Sequence, residues 1–219
     1  MNDELRKRSF IELDVKIEFE KLLKEYHIID KKYAFHSYKT NYWAVRKKYA
    51  KSWSGVCLTS SDGNLYTDLH ENRRNIPFID TEIKKHCPYI YKLIKDIGGD
   101  KCSARIMRIS PKESLVWHSH VQEHGQNENQ LTVQIPIIVP KQFQYCVVNK
   151  DEFKWYKRFF KPSWFKNAEC KRLETGKAYI FNSYHYHNVY NHSNEYRITL
   201  MLYLDLRNPT VYNLVHRSL

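Results

Sequence analysis

The chain has 219 residues, enough for one large domain or two small ones, and Lys plus Arg exceed Asp plus Glu by 36 − 24 = 12. The basic residues are spread along the whole chain and no nucleic-acid-binding motif accompanies them, so nucleic acid is a possible but not a favoured partner. No apolar run is long enough to cross a membrane, which excludes a membrane-spanning protein at this stage.

The first hundred residues are predicted to be largely helical. Asp14 is a candidate cap for a first helix with an apolar stripe that includes Phe19 and Leu22, although residues 11–19 also alternate as a strand would. Residues 53–59 resemble a strand that ends in the turn 61–64. A second helix is expected to begin near Thr81 and to stop at Gly98-Gly99.

Beyond residue 100 the pattern becomes that of short strands. Alternation predicts strands at 104–110, 130–139 and 144–148, and two closing strands carry His187 and Arg197. The stretch at about 150–173 is charged and aromatic, with Trp155, Phe159, Phe160 and Trp164, and is predicted to be an insertion. It is either a lid or substrate wall, or a packed surface excursion.

These elements predict an α+β, mainly β protein with an antiparallel sandwich or barrel as its core. A jelly roll is the natural architecture for such strands. We expect a single domain over 1–219, with a helical N-terminal portion (1–100) packed on a jelly-roll core (101–219).

The cysteine pattern points to a reducing compartment. The five cysteines are odd in number and include no Cys-x-x-Cys pair, which argues against a disulfide framework and against a zinc ribbon. Buried free thiols are therefore expected. The N-terminus leads into no apolar segment, so no signal peptide is predicted and a cytoplasmic location is expected.

Histidines at the ends of predicted strands indicate a metal site. His118-Ser119-His120 follows one strand, and alternating residues of a strand share one face, so both histidines can point inward. His187 is predicted at the end of the strand that begins near residue 176. Two histidines and a carboxylate form the facial triad of non-haem Fe(II) oxygenases. A hydrogen-bonded or surface role for each histidine is the alternative.

Arg197 strengthens the metal-site interpretation. It lies ten residues after His187, and a hairpin of that length is expected to bring it level with the metal on the neighbouring strand. Arginine suits bidentate capture of a carboxylate. Because burying a lone charge is costly, an arginine in an apolar strand needs a partner, either a bound ligand or a salt bridge to Glu195 or Asp205.

These residues resemble the aspartyl/asparaginyl β-hydroxylase family, which includes bacterial free-proline hydroxylases. The resemblance covers about 53–209 and is carried by 105–118, by 131–140, and by 176–205 with its His-x-Val-x-Asn pattern and following arginine. It implies a double-stranded β-helix and a dioxygenase that uses Fe(II), 2-oxoglutarate and O2. The implied reaction is hydroxylation of an amino acid, or of an Asp- or Asn-type side chain in a peptide.

The resemblance also implies residue roles. His118 and His187 would be iron ligands, Arg197 would bind the distal carboxylate of 2-oxoglutarate, and Gln134 lies on a strand whose inward residues contact that cosubstrate in relatives. Trp117, Arg105 and Met107 are candidates for the pocket lining.

His120 departs from the family, whose members carry Asp or Gly at this position. It is either a third metal ligand, which we favour, or a residue that points past the metal towards the substrate, or a sign of a different reaction outcome. Two further functions stay open on these grounds. One is a non-catalytic, metal-binding cupin-like module, and the other is a three-histidine oxygenase that does not use 2-oxoglutarate.

Overall fold

The computed structural model describes residues 5, 7–37, 53–67, 78–99, 102–120, 129–154, 156 and 161–219. The strands in chain order are β1 (Phe10–Glu12), β2 (His36–Ser37), β3 (Trp53–Cys57), β4 (Thr59–Ser60), β5 (Ile79–Asp80), β6 (Ser103–Ile109), β7 (Gln130–Ile138), β8 (Phe143–Val148), β9 (Glu169–Lys171), β10 (Tyr179–Phe181), β11 (Tyr186–Asn191) and β12 (Arg197–Asp205). The helices are α1 (Phe19–Lys32), α2 (Pro88–Gly98) and α3 (Pro209–Arg217), with 3-10 turns at Glu82–Lys85 and Pro162–Trp164.

Two antiparallel sheets form the body of the protein. The large sheet has seven strands in the order β1-β10-β7-β12-β6-β3-β2, and the small sheet has three in the order β11-β8-β9, with β4 and β5 as a separate pair. The prediction of a mainly β protein with antiparallel strands is confirmed. Strands β1, β2 and β3 precede residue 100, so the N-terminal portion contributes to the large sheet as well as supplying helices.

One face of the large sheet is apolar and lies under the helices. Alternate residues of β12, namely Ile198, Leu200, Leu202 and Leu204, are buried in one cluster with residues of all three helices, such as Leu22, Ile90 and Val211. Successive side chains of a strand point to opposite faces, so the residues between these four point the other way. The expected packing of helices on the sheet is present.

The other face of the large sheet meets the small sheet. Ile109 and Tyr179 of the large sheet share a buried cluster with Phe143, Tyr145 and Val189 of the small one. The backbones of His118 and His187 also pair, with reciprocal N–H to O distances of 3.1 and 2.9 Å. This contact fixes the segment after β6 against the start of β11, where the candidate site lies.

Two aromatic residues of the insertion pack on the outer face of the small sheet, whereas Tyr156 and Trp164 are exposed. Phe153 and Phe165 are buried with Trp117, Cys146 and Val148. Trp155, Phe159 and Phe160 lie outside the described residues. Because Trp117 belongs to this outer cluster, its expected place in the pocket lining is wrong.

The expectation of free thiols throughout is wrong for one pair. Cys146 of β8 and Cys170 of β9 lie directly opposite each other and form a disulfide. The spacing of the cysteines along the sequence did not reveal this pair, because only the pairing of β8 with β9 brings the two residues together. Cys57, Cys87 and Cys102 are buried cysteines that do not belong to a disulfide, as expected.

Two helix boundaries differ from those predicted. Asp14 caps no helix, because the preceding residues pair with β10 as a strand and α1 begins at Phe19. The second helix begins at Pro88, a residue suited to the first helical turn, and only a 3-10 turn follows Thr81. Helix α3, which was not predicted, is capped by the Asn208 side chain. In the described part of the chain, no helix is both long and apolar enough to span a membrane.

Candidate metal centre

Three buried histidines meet between the two sheets. His118 follows β6, His120 comes two residues later, and His187 is the second residue of β11. The ring centres lie 4.2 Å apart for His118 and His187 and 4.8 Å apart for His120 and His187. One ligand atom from each ring can be chosen so that all three lie within 4.8 Å of one another. Among the described residues, this is the one cluster of three or more His, Cys, Asp or Glu side chains that could hold a metal ion.

Backbone carbonyls orient two of these rings. Nδ1 of His118 lies 2.9 Å from the carbonyl oxygen of Val116, and Nδ1 of His187 lies 3.1 Å from that of His185. A carbonyl only accepts, so each Nδ1 carries the proton and each Nε2 keeps its lone pair. This is the arrangement in which protein backbones commonly orient histidines on a metal. The donor set therefore fits a transition metal that binds imidazole, such as iron.

His120 completes the cluster through its own contacts. Its backbone N–H donates to the carbonyl of Ser183 at 3.0 Å, and its Nδ1 lies 3.4 Å from Oγ1 of Thr132. The Ser119 hydroxyl also donates to the carbonyls of Ser183 and Tyr184, which fixes the segment between the two histidines. A third imidazole thus stands near the other two, and a neutral ligand leaves more positive charge on a metal than a carboxylate does.

Arg197 is buried on the inner face of the large sheet, with 2% of its surface exposed. Its Nη2 donates to Oε1 of Gln134 at 2.8 Å, and the hydroxyl of Tyr145 donates to the same oxygen at 3.2 Å. The guanidinium carbon lies 5.2 Å from the ring centre of Phe143 and 4.8 Å from that of Tyr145. Burial lowers the pKa of Arg197 well below its ordinary value.

The guanidinium has no carboxylate partner among the described residues. Asp205 instead binds Arg207, and Glu195 is exposed, so neither salt bridge considered for Arg197 is present. Nε of Arg197 is buried and receives no hydrogen-bond partner from the residues that the structure describes. Because an unpaired buried charge is costly, this position favours a bound anion.

The expected hairpin between His187 and Arg197 is wrong in its strand pairing. The histidine lies in β11, a strand separate from β10, whereas Arg197 begins β12 in the large sheet between β6 and β7. Both side chains are buried, and both belong to strands that border the space between the sheets. Aromatic rings connect them, since Tyr145 lies 6.4 Å from Phe181, and Phe181 lies 4.7 Å from His187.

Sequence reasoning missed Tyr145, Phe143 and Thr132. A usable signal was present in β7, where Gln130, Thr132 and Gln134 are polar residues at alternate positions of the strand. No comparable signal in the sequence marks Tyr145, because its role depends on a hydrogen bond to Gln134, which lies in the opposite sheet. Arg105 and Met107 do lie on the inner face, as the register with β12 requires.

Comparison with known proteins shows which solved structures share the fold. No protein-family profile matches the chain, and no curated protein matches it in sequence. Among solved structures, it is similar to an oxidoreductase of the 2OG-Fe(II) oxygenase family from Burkholderia pseudomallei, with 11% identity and a TM-score of 0.56 over 92% of this chain and 88% of that one.

Two further structures share this likeness. HygX from Streptomyces hygroscopicus, solved with nickel, 2-oxoglutarate and hygromycin B, has 6% identity and a TM-score of 0.54 over 93% of this chain and 86% of that one. The α-ketoglutarate-dependent carbocyclase SnoK from nogalamycin biosynthesis has 12% identity and a TM-score of 0.53 over 94% and 84%. The chain therefore has the fold of non-haem, 2-oxoglutarate-dependent iron oxygenases.

Proposed function

We propose that the protein is an Fe(II)- and 2-oxoglutarate-dependent dioxygenase. The observation that carries the proposal is the buried Arg197, which has no carboxylate partner in the described part of the chain and faces the same interior as the three histidines. A metal beside an anion-binding guanidinium matches what such an enzyme needs, since 2-oxoglutarate has a carboxylate at each end. The shared fold supports the proposal.

Each side chain has a definite task in this proposal. His118, His120 and His187 hold Fe(II), which supplies the oxygen activation when it is bound. Arg197 binds the distal carboxylate of 2-oxoglutarate through a charge-assisted hydrogen bond, with Nε available for it. Gln134 fixes the guanidinium through Nη2 and brings no competing charge.

The aromatic surroundings add to the strength of this anchor. The rings of Phe143 and Tyr145 lie against the guanidinium, so water is displaced from its faces. An ion pair in such a site is screened much less than one at the surface. Specificity for a dianionic cosubstrate follows, because an analogue without the distal carboxylate would leave the buried charge uncompensated.

The overall reaction converts 2-oxoglutarate, O2 and a C–H substrate into succinate, CO2 and the hydroxylated product. We propose that the fold is a double-stranded β-helix of the aspartyl/asparaginyl β-hydroxylase type. We also propose that the enzyme acts on an amino acid, or on an Asp- or Asn-type side chain in a peptide. A small natural product is the alternative substrate, since HygX was solved with hygromycin B and SnoK comes from nogalamycin biosynthesis. A cytoplasmic location is part of the same proposal.

Succinate release tests the proposal. The protein is incubated aerobically with Fe(II), ascorbate and 2-oxoglutarate, and succinate is measured with and without a panel of amino acids and short peptides. We expect slow succinate formation that requires Fe(II) and rises with a substrate. Metal binding without any succinate would instead favour a non-catalytic, cupin-like binding module.

A second candidate is a three-histidine oxygenase that does not use 2-oxoglutarate. The three-imidazole cluster favours it, because this ligand set lacks the carboxylate of the facial triad. The two candidates differ in their cosubstrate. Oxygen consumption with a thiol or another substrate in the absence of 2-oxoglutarate would establish the second.

A further inference from the structure

A second buried arginine, Arg105, lies on the inner face of the large sheet. It is 3% exposed, and its neighbours across the sheet are Met201 of β12 and Cys57 of β3, which bring no charge. The residues on either side of it, Ala104 and Ile106, belong to the apolar cluster under the helices. Strand alternation therefore turns Arg105 towards the space between the sheets.

An aromatic ring connects Arg105 to the histidine cluster. The guanidinium carbon lies 4.5 Å from the ring centre of Tyr203, and that ring lies 6.3 Å from the ring of His120. Stacking of this kind occupies the face of a guanidinium, whereas its hydrogen bonds are made at the edge. Tyr203 thus contacts the guanidinium of Arg105 and also lies near His120.

The two inner arginines are connected to the histidine cluster through different aromatic rings. Arg197 approaches His187 through Tyr145 and Phe181, whereas Arg105 approaches His120 through Tyr203. Arg105 pairs with Met201, four residues beyond Arg197 on β12, which places the two Cα atoms about 13 Å apart along the strand direction. One small ligand bound at the metal is therefore not expected to contact both arginines at the same time.

We propose that Arg105 binds an oxyanion of the substrate that is oxidised, so that this substrate carries a carboxylate or a phosphate group. The inference rests on the proposed function. In that function one carboxylate of 2-oxoglutarate lies at the metal and the other at Arg197, so the cosubstrate has no third anionic group for Arg105. The bidentate geometry of arginine suits either oxyanion.

Small anions test this proposal without knowledge of the substrate. Trifluoroacetate, followed by 19F NMR, probes carboxylate binding, and methylphosphonate, followed by 31P NMR, probes phosphate-type binding. Both are titrated into the protein that has been saturated with 2-oxoglutarate, first with Zn(II) and then with Mn(II). Paramagnetic relaxation by Mn(II) reports whether a bound anion lies near the metal.

The variants are Arg105→Gln, Arg105→Lys and, as a matched control, Arg108→Gln. Arg108 lies on the same strand but on the opposite face, where it pairs with Asp30 of α1. We expect saturable binding of one probe with relaxation by Mn(II), weakened about tenfold or more in Arg105→Gln because a charged hydrogen-bond donor is lost. Arg105→Lys keeps the charge and loses the fork, so intermediate binding is expected, and Arg108→Gln should match the unmodified protein.

Several results would overturn the proposal. These are equal anion binding in Arg105→Gln, binding that Mn(II) does not relax, or the absence of saturable binding for both probes. A loss of 2-oxoglutarate affinity in Arg105→Gln as large as that in Arg197→Gln would place Arg105 in the cosubstrate site instead. If Arg105→Gln does not fold, Arg105→Lys and Tyr203→Leu provide the same comparison.

The proposed function can fail separately. If Mn(II) and 2-oxoglutarate do not bind the unmodified protein, the oxygenase assignment fails whatever the anions do. Anion binding to the metal-free protein that depends on Arg105 would then show an oxyanion site without the oxidation chemistry, which overturns the substrate role proposed here.

Discussion

The two faces of the large sheet differ sharply although the same strands form both. The face under the helices carries Ile198, Leu200 and Leu202 in β12, whereas the inner face carries Arg197, Thr199 and Met201. The apolar face contributes stability through burial. The inner face contains two buried arginines and approaches three histidines, groups that cost stability when buried and are useful for binding. Because side chains alternate along a strand, the residues that stabilise the fold and the residues that serve the candidate site lie on opposite faces of the same strands.

The largest functional effect is expected at the histidines. His187→Ala removes one ligand from the cluster, and metal affinity should fall by about 100-fold or more, since even outer partners of metal ligands contribute about 10- to 100-fold. Calorimetric titration with Mn(II) measures this. His192→Ala is the control, because His192 is exposed outside the cluster. Equal loss in both variants would contradict a specific site.

A substitution on the helix-covered face should show the opposite behaviour. Leu200→Ala leaves a cavity in the main core and should lower the free energy of unfolding by about 2–5 kcal/mol. Metal and 2-oxoglutarate affinities of the folded fraction should stay within about twofold, a ratio worth less than about 0.5 kcal/mol. Urea unfolding and ligand titration test the two parts, and a large affinity change would show that the faces are coupled.

Arg197→Leu should separate binding from stability. We expect 2-oxoglutarate affinity to fall by about 10- to 100-fold, because a charge-assisted hydrogen bond to the distal carboxylate is lost. The free energy of unfolding of the ligand-free protein should rise by about 1 kcal/mol, because a buried cation that has no carboxylate partner among the described residues is replaced by an apolar group. A stability loss with unchanged affinity would mean that Arg197 has only a structural role.

The smallest effect is expected at Thr132. Its Oγ1 lies 3.4 Å from Nδ1 of His120, a long contact. Thr132→Val keeps the shape of the side chain and removes the hydroxyl, so metal affinity should fall by about tenfold or less. Thr199→Val is the matched control on the same face, since the Thr199 hydroxyl donates to the backbone carbonyl of Ile135 instead. The same loss in both variants would exclude an orienting role for Thr132.

The sequence predicted three strands beyond residue 100 well because their apolar residues alternate, but β9 was not predicted and β10 and β11 were predicted as one strand. β6, β7 and β8 lie within about one residue of their expected bounds, and the structure brings together His118, His120 and His187 as the proposed ligand set requires. Strand pairing was not predictable in the same way. Partners such as β1 with β10, or Cys146 with Cys170, depend on tertiary contacts that no local pattern encodes.

The surroundings of Arg197 illustrate the same limit. Its need for an anion followed from one charge in an apolar strand, whereas the support from Tyr145 depends on a residue in the opposite sheet. Gln134 was identified through the family resemblance, and its contact with Arg197 follows from the pairing of β7 with β12. Residue types therefore predicted the chemistry, and the fold determined which residues contact one another.

A crystal structure determined anaerobically with Mn(II) and 2-oxoglutarate would test the central claim most directly. The account predicts a metal held by Nε2 of His118, His120 and His187, at about 2 Å from each nitrogen. It also predicts that the distal carboxylate of 2-oxoglutarate contacts Arg197. A metal bound elsewhere, or 2-oxoglutarate bound without Arg197, would contradict it.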